Sequence, residues 1–398
     1  NEREEKLRAL WAESLGLEAH RLGIRDDLFS LGMDSIIAIQ LVSRLRQQMA
    51  LKVSVKDVFA HKTIERFYDH LLTQEAEQAR ASQILAEQGT LEGELGLLPI
   101  QSWFFSQNFA QPAHWNQAFL VKTPALEPER LEAALQALVR HHDAFRLRYQ
   151  SVPGQSAPRQ YYAPSAPFAG LRRLDIRGLS AAEGTAAFRA ELHERLTAWQ
   201  SDFDLQQGPL YCFGYLHGHA DGSSRLFFAL HHLIVDTVSW HILLDDLQAL
   251  YEQRPLGEKG SSYRQWVDSV ARYGQSHAAE RDFWRQLLAD YQPEQQPWLR
   301  AQVPGAPRES QFSLDKAQTD ALLRGAHRAY HTQVNDLLLT AVGYALREMD
   351  GNPTHHLMLE GHGREEIDPA LDITRTLGWF TTLHPVRLSV EGELGEGL

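Results

Sequence analysis

The sequence contains a single cysteine, Cys212, among 398 residues. A disulfide within the chain is therefore excluded, and this cysteine content is typical of proteins from a reducing compartment, so we expect a cytoplasmic location. Cys212 lies in the apolar run LYCFGYL. This context predicts a buried strand residue rather than a nucleophile, because an apolar environment disfavours the reactive thiolate.

Long apolar runs and clusters of basic residues are also missing. No run of about 18 apolar residues occurs, so neither a membrane-spanning helix nor a membrane partner is expected. The formal net charge is −12 and the Lys and Arg residues are dispersed. Nucleic-acid binding requires a basic stripe or patch, so we expect no nucleic-acid partner. The length and the 43% hydrophobic content instead predict two or three globular domains. The start NEREEKLRAL is not a signal peptide, and the sequence has the character of a piece of a longer polypeptide.

The pattern of apolar residues changes along the chain. Residues 1–75 show helical spacing and predict a small helical unit. The Ala-, Glu- and Gln-rich residues 76–96 predict a linker or a loosely attached helix. From about residue 97 onward, helical and strand-like stretches are mixed. The predicted helices are 127–141, 181–199, 240–251 and 316–330, and the predicted strands are 118–122, 145–149, 226–230, 355–359 and 385–390.

The stretch LHHLIVDTVSW, residues 230–240, carries two adjacent histidines, an aspartate and a serine. If the strand extends to His232, the side chains of His231 and His232 point to opposite faces, so only one can meet a substrate. A metal site is disfavoured because no third ligand follows at a familiar spacing. A catalytic histidine and a pair of hydrogen-bonded core histidines both remain open. Ser239 is predicted to cap the following helix.

A second candidate lies in LMLEGHGREEID, residues 357–368. Glu360 follows three apolar residues, and a partly desolvated carboxylate is a stronger base than one in water, which suits proton transfer. Gly361 and Gly363 allow close approach of backbone or ligand. An ion pair with Arg364 is the alternative explanation for Glu360.

The N-terminal unit carries its own candidate, Ser35, in LGMDSI at residues 31–36. Its position at the start of a predicted helix suits a phosphate group, because free backbone N–H groups and the helix dipole favour negative charge there. A purely structural helix cap is the alternative.

The sequence DDLFSLGMDSIIAIQLVSRLR, residues 26–46, resembles the peptidyl carrier proteins of nonribosomal peptide synthetases. The resemblance implies that Ser35 carries a covalent 4'-phosphopantetheine. The Asp34-Ser35 pair resembles the variant found on carriers that precede epimerisation domains.

The remainder of the chain resembles the condensation/epimerisation superfamily of the same synthetases. Seven motifs follow the family order: LPIQSWFF (98–105), HWNQAFLV (114–121), RHHDAFRLRY (140–149), HHLIVDTVSW (231–240), VNDLLLTAV (334–342), LEGHGRE (359–365) and TLGWFTTLHPVRL (376–388). Condensation domains usually have Gly after the motif aspartate. This chain has Thr237 there, and together with EGHGRE and GWFT it is more similar to the epimerisation branch.

The resemblance implies an α+β multidomain fold, in which a small helical carrier bundle precedes two chloramphenicol-acetyltransferase-like α/β lobes arranged in a V. The implied domains are the carrier (1–75), a linker (76–96), an N-terminal lobe (97–275) and a C-terminal lobe (276–398). The family has a further motif with Asn and Tyr beyond the 376–388 region, so the C-terminal lobe is expected to be incomplete.

The resemblance also implies an activity, epimerisation of the Cα of an aminoacyl or peptidyl thioester on the carrier. His232 and Glu360 are the implied catalytic residues, with Asp236 fixing the histidine loop and Arg364 orienting Glu360. No metal is expected. The implied partners are upstream adenylation and downstream condensation domains and a phosphopantetheinyl transferase. A peptide-bond-forming condensation domain and a non-catalytic docking domain of the same fold are the alternatives.

Overall fold

A computed structural model describes the chain except for residues 1, 50, 52, 78–83, 166, 292–309, 327–331, 333 and 393–398. The chain divides into two compact units. One unit comprises residues 1–80, 275–361 and 383–398, and the other comprises residues 81–274 and 362–382. The division at 274/275 lies next to the predicted lobe boundary. Residues 362–382, however, group with the preceding lobe and not with the C-terminal one.

The N-terminal region is a bundle of four helices, in agreement with the small helical unit predicted there. The helices are α1 (Glu2–Ser14), α2 (Ser35–Met49), α3 (Val55–Ala60) and α4 (Ile64–Glu77). Apolar side chains at helical spacing form their shared core, in which the ring of Trp11 meets that of Phe67 edge-on at 4.8 Å between centroids. Ser54 and Asp57 form a capping box that starts α3.

The predicted linker 76–96 is wrong in its second half, because residues 84–96 are part of the fold. Strand β1 (Gly93–Leu95) pairs with β4 (Arg159–Tyr162), and the N–H of Leu85 donates to the carbonyl of Ala370 at 2.8 Å. Leu91 and Leu95 are buried. Their burial and the strand pairing stabilise a segment whose composition alone predicts a loose connection.

The unit of residues 81–274 and 362–382 contains two sheets, and the larger one has the strand order β2-β7-β6-β5. The strands are β2 (Asn116–Thr123), β5 (Leu171–Asp175), β6 (Tyr211–His217) and β7 (Ser224–His231). Neighbours are antiparallel except β5 and β6, which are parallel. Strands β6 and β7 are almost continuously buried, which explains their nearly unbroken apolar sequences. Cys212 on β6 is buried as predicted, and burial raises the pKa of its thiol to about 11.

Helices complete this unit around its sheets. They are α5 (Pro99–Ser106), α6 (Pro128–His141), α7 (Ala186–Trp199), α8 (Thr237–Tyr251) and α9 (Tyr263–Ser276), and a smaller sheet has the order β1-β4-β3, with β3 at Leu147–Gln150. Helix α7 begins five residues later than predicted because Thr185 caps it, accepting from the N–H of Phe188. The predicted strand 145–149 begins instead as a 3-10 turn, Asp143–Arg146.

The remaining described elements belong to the other unit: α10 (Glu280–Leu287), α11 (Lys316–Ala321), α12 (Val334–Asp350), β8 (Thr354–Gly361) and β9 (Thr382–Ser389). The predicted helix 316–330 is shorter in the structure, since a π-helical turn, Leu322–Ala326, follows α11, and residues 327–330 lie outside the described part. Strands β8 and β9 pair with each other. Gly343 on α12 lets the helix approach Val390 closely, where a Cβ would be only 2.9 Å from its side chain. No described helix is both long and apolar enough to span a bilayer.

Candidate active site

His231 is the last residue of β7 and a fully buried core histidine. Its Nε2 donates to the carbonyl of Pro112 at 2.8 Å, and its Nδ1 accepts from the N–H of Leu233 at 3.1 Å. Both ring nitrogens are therefore satisfied in the neutral form. Burial lowers the pKa of His231 from 6.5 to about 4. Of the two explanations left open for the pair, the core-histidine one describes His231.

This burial predicts acid sensitivity. The unfolded chain binds a proton on this ring at a higher pH than the folded one, so His231 stabilises the fold above its unfolded pKa and loses that contribution as the pH falls. We expect the unfolding free energy to decrease by about 3 kcal/mol on this account between about pH 7 and pH 4. Denaturant titrations across this range measure the effect. His231→Gln has no titrating ring, so an equally steep pH dependence in that variant would contradict the prediction.

His232 does not continue the strand, which ends at His231, one residue beyond the predicted 226–230. The condition under which the two histidines would alternate along one strand is therefore not met. His232 opens a 3-10 turn, His232–Ile234, which is held by a bond from the Tyr149 hydroxyl to the Leu233 carbonyl at 3.0 Å. The turn leaves the ring of His232 half-buried, 4.5 Å from the ring of Trp379 between centroids. Its Nε2 lies 2.9 Å from the side-chain nitrogen of Gln117 on β2.

Asp236, rather than the predicted Ser239, caps helix α8. The Asp236 carboxylate accepts from the N–H of Ser239 at 2.7 Å, so the helix begins at Thr237. Ser239 is left free for a different contact: its hydroxyl donates to the carbonyl of Gly378 at 3.1 Å and accepts from the N–H of Gly378 at 3.2 Å. The start of α8 therefore fixes the backbone just before Trp379.

The guanidinium of Arg364 is buried against the same cap. It donates to both carboxylate oxygens of Asp236, at 3.0 and 3.1 Å, and to the carbonyls of Ile373 and Thr376, at 2.9 Å each. It also lies 3.8 Å from the centroid of the Phe380 ring. Burial lowers the pKa of Arg364, although the charge of Asp236 opposes that effect. These contacts fix the loop that follows His232. The expected orientation of Glu360 by Arg364 stays a prediction, because Glu360 lies in the other unit.

Gly363, which precedes Arg364, allows close packing of two backbone segments. Gly363 has a φ of +67°, and a Cβ there would collide with the carbonyl oxygen of Phe380. The close approach predicted for this glycine is therefore an approach of backbone to backbone. Together with Arg364 and Ser239 it holds residues 376–380, so that the ring of Trp379 is presented to His232.

Glu360 and Ser35 belong to the other unit. Glu360 is near the end of β8 and is exposed, as is Met358 two residues earlier on the same strand face. Within its own unit, no described residue buries this face of the two-stranded sheet, and the partial desolvation of Glu360 stays a prediction. Ser35 is the first residue of α2 and is half-buried. The predicted cap position is occupied by Asp34, whose carboxylate accepts from the N–H of Ile37 at 2.8 Å.

The described residues include one group with the spacing of metal ligands, formed by His141, His142 and Asp246, whose ligand atoms lie within 4.8 Å of one another. Asp246 already accepts from His142 at 2.9 Å and from Arg375. Burial alone would raise the pKa of Asp246, but the hydrogen bond from His142 and the charge of Arg375 lower it overall. Because a guanidinium occupies the place of a cation beside this carboxylate, the group is an ion-pair cluster of the fold.

Three residues that contact His232 directly or through one neighbour were not identified as site residues from the sequence: Gln117, Trp379 and, through Gln117, Trp240. All three lie in motifs that the sequence analysis singled out, HWNQAFLV, HHLIVDTVSW and TLGWFTTLHPVRL. A polar Gln among apolar strand residues was the available signal for Gln117. The partners of that amide come from distant parts of the chain, so the sequence alone did not indicate what it contacts.

Comparison with known proteins places this geometry in a family. Residues 91–395 match the condensation domain family, and residues 5–71 match the phosphopantetheine attachment site family. The chain is 44% identical over 397 residues to N-(5-amino-5-carboxypentanoyl)-L-cysteinyl-D-valine synthase of Amycolatopsis lactamdurans, covering 99% of this chain and 10% of that protein. It is 39% identical over 409 residues to surfactin synthase subunit 1 of Bacillus subtilis, covering 98% and 11%. The chain thus spans about a tenth of the length of these curated relatives.

Solved structures show the same architecture. The epimerization domain from the third module of tyrocidine synthetase B is similar with a TM-score of 0.62 and 32% identity, over 78% of this chain and 69% of that one. The first condensation domain of the calcium-dependent antibiotic synthetase has a TM-score of 0.58 and 21% identity, over 75% and 70%, which shows the fold alone.

The predicted fold class, a helical carrier region followed by a chloramphenicol-acetyltransferase-like α/β fold, is confirmed. The carrier match also implies a 4'-phosphopantetheine attached covalently to a serine of this domain. The half-buried Ser35 at the start of α2 is compatible with such an attachment, because its hydroxyl lies on the first helical turn next to an exposed Asp34. The chain therefore belongs to the condensation-domain family of nonribosomal peptide synthetases, with a phosphopantetheine-bearing carrier domain ahead of that domain.

Proposed function

We propose that the chain epimerises the Cα of an aminoacyl or peptidyl thioester carried on Ser35. The observation that carries the proposal is the 32% identity to the epimerization domain of tyrocidine synthetase B, over most of the condensation-type part of the chain. The name of the 44% identical relative supports it, because that synthase makes a product ending in a D-valine residue. Thr237 after Asp236 adds support from the sequence.

The reaction removes the proton from Cα and returns one to the opposite face. When bound, the phosphopantetheine arm supplies the thiol of the thioester and tethers the substrate, which raises its local concentration. The thioester carbonyl accepts the electron pair left by the departing proton, so negative charge develops on its oxygen. A positioned base and a hydrogen-bond donor to that oxygen are the two requirements.

Glu360 and His232 fill these two roles in the proposal. The Glu360 carboxylate takes the Cα proton and, as the carboxylic acid, exchanges it with solvent. It then returns a proton to Cα after the planar enolate has turned its other face to it, so one group removes and restores the proton. His232 donates a hydrogen bond to the thioester oxygen, and its ring is held in place by Trp379 and Gln117. Asp236 and Arg364 fix the two loops that carry His232 and Trp379. These are positioning residues, since their contacts go to the protein.

The proposed setting includes other parts of a synthetase. An adenylation domain upstream supplies the activated amino acid, a phosphopantetheinyl transferase modifies Ser35, and a condensation domain downstream consumes the product. The L- and D-thioesters differ at one centre only, so the equilibrium ratio is close to one. The chirality of the final peptide is then selected by the downstream condensation domain.

Deuterium uptake at Cα tests the proposal. Ser35 is loaded with L-valyl-pantetheine or glycyl-L-valyl-pantetheine, the protein is incubated in D2O, and the released acid is examined by mass spectrometry and chiral chromatography together. We expect one deuterium at Cα and a mixture of L and D forms. Ser35→Ala, which cannot be loaded, is the control for exchange of free substrate.

Retention of the L form without deuterium would overturn the epimerase proposal. The same loaded protein is then offered a second aminoacyl carrier as acceptor. Formation of a dipeptide would establish condensation, the activity named in the family match. If neither exchange nor a dipeptide is observed, the result would favour a non-catalytic docking domain of this fold.

A further inference from the structure

A chain of three side chains reaches His232 from within its own unit. The indole N–H of Trp240 on α8 donates to Oε1 of Gln117 at 2.6 Å, and Nε2 of Gln117 lies 2.9 Å from Nε2 of His232. An indole nitrogen can only donate, so the side of the Gln117 amide that faces Trp240 must be its oxygen. The amide orientation, which is ambiguous for many glutamines, is therefore determined here by its partner.

The amide orientation determines the protonation of the histidine. The Gln117 –NH2 group has only donor atoms, so Nε2 of His232 must present its lone pair to it. A neutral imidazole carries one proton, which is then on Nδ1. If Nε2 carried the proton, the amide would have to turn over, and its –NH2 group would then face the indole N–H, leaving two donors opposed.

The three residues are held by separate parts of the fold. Gln117 lies on β2 directly opposite Leu230 of β7, and Phe119, on the same face of β2, meets the Trp240 ring edge-on at 4.4 Å. Trp240 is buried. The backbone N–H of His232 donates to the carbonyl of Trp115 at 2.9 Å, and its ring lies against Trp379. Each component is thus anchored independently of the other two.

We propose that Gln117, oriented by Trp240, is a positioning residue that fixes the tautomer of His232 with the lone pair on Nε2 and the proton on Nδ1. This inference deepens the proposed function. The tautomer itself does not depend on that function, whereas the effect of the tautomer on the reaction does. The inference makes Nδ1–H the donor of the neutral His232 ring and leaves Nε2 without a proton to transfer. It leaves proton transfer at Cα to Glu360, because a second proton on Nε2 would face the amide hydrogens of Gln117.

Nitrogen NMR tests the tautomer without reference to activity. The protein is labelled with 15N in its 19 histidine rings, and long-range 1H–15N correlations distinguish Nδ1–H from Nε2–H rings. The signals of His232 are identified by their loss in His232→Asn. We expect Nδ1–H for His232. His231 is a built-in reference, since its Nε2 donates to the carbonyl of Pro112 and it must show the opposite tautomer.

Two variants test the role of the amide. In Gln117→Glu the carboxylate accepts both from Trp240 and from Nε2–H, so His232 is expected to carry a proton on Nε2 and to lose its single Nδ1–H tautomer. In Trp240→Phe the amide is free to turn over, and a mixture of tautomers is expected. An unchanged His231 signal shows in each case that the surrounding strand has kept its structure. Gln117→Leu, with no hydrogen-bonding group, replaces any variant in which that signal is lost.

The outcomes separate this inference from the epimerase proposal. An Nε2–H ring in the unaltered protein, or an Nδ1–H ring that stays unchanged in the Gln117 and Trp240 variants, would overturn the positioning role. An Nδ1–H ring that responds to the variants supports it, even if the D2O experiment finds no exchange and epimerisation is abandoned. If exchange occurs, Gln117→Glu is expected to slow it at least ~10-fold with loading of Ser35 unchanged. The reason is that the proton of the neutral His232 ring then lies on Nε2, so Nδ1 no longer donates to the thioester oxygen.

Discussion

Replacing Glu360 with Gln is expected to slow deuterium exchange at Cα by ~10²- to 10⁴-fold, the range found when a general base is removed. Gln has nearly the same shape as Glu and cannot take a proton, so binding of the loaded arm should change little. The measurement is the rate of deuterium incorporation in single-turnover experiments on loaded protein. Glu365→Gln is the matched control, since it alters another exposed carboxylate of the same motif.

The exchange rate of His232→Ala is compared with that of Glu360→Gln. Loss of a hydrogen-bond donor to a developing oxyanion typically reduces the rate by ~10²- to 10³-fold. We therefore expect residual exchange in His232→Ala. Exchange that persists at the unaltered rate in Glu360→Gln but disappears in His232→Ala would assign proton transfer to the histidine and contradict the proposed division of roles.

The second large effect concerns stability. Arg364→Ala leaves the Asp236 carboxylate buried without its cation, and loss of one partner of a buried ion pair typically costs about 3–5 kcal/mol of unfolding free energy. Both side chains are almost inaccessible, at 1% and 5% relative exposure. Urea unfolding followed by the fluorescence of Trp379 and its neighbours measures the change.

A double variant and a surface pair give the controls. Asp236→Leu combined with Arg364→Met removes both charges and is expected to recover part of the loss, because no uncompensated charge remains. The recovery is incomplete because the N–H groups of Ser239 and Phe380 lose their acceptor. Arg387→Met breaks the ion pair between Arg387 and Asp290, whose side chains are 38% and 47% exposed, respectively. This change should alter the unfolding free energy by less than about 1 kcal/mol. Similar losses from Arg364→Ala and Arg387→Met would show that burial of the Asp236–Arg364 pair has little energetic importance.

The fold could be predicted well where the sequence pattern is determined by burial over a local stretch. The continuous apolar runs of β6 and β7 and the amphipathic stripe of α8 correspond to the observed elements, with ends that differ by a few residues. The start of α8 could not be predicted because Asp236 and Ser239 are both good capping residues. The choice depends on Arg364, which engages Asp236 from 128 residues further along the chain.

The candidate site was predicted in part for the same reason. The motif containing His232 is a continuous stretch of sequence, and the alternation of side chains along a strand already indicates that His231 and His232 have different surroundings. Gln117, in contrast, gains its meaning from Trp240, 123 residues away. Side-chain chemistry of this kind depends on tertiary contacts, which residue spacing does not encode. The exposure of Glu360 likewise depends on what covers one face of β8, and the local apolar pattern says nothing of it.

The division of the chain has a practical meaning for building chimeric synthetases. Residues 362–382 pack with residues 81–274 although they follow the intervening segment 275–361 in sequence. A recombination junction near residue 275 would therefore combine Asp236 and Ser239 of one parent with Arg364, Gly378 and Phe380 of another. Exchange of the segment 275–361 alone keeps these partners from one parent, and libraries of hybrids should retain more folded members when both junctions are placed in this way.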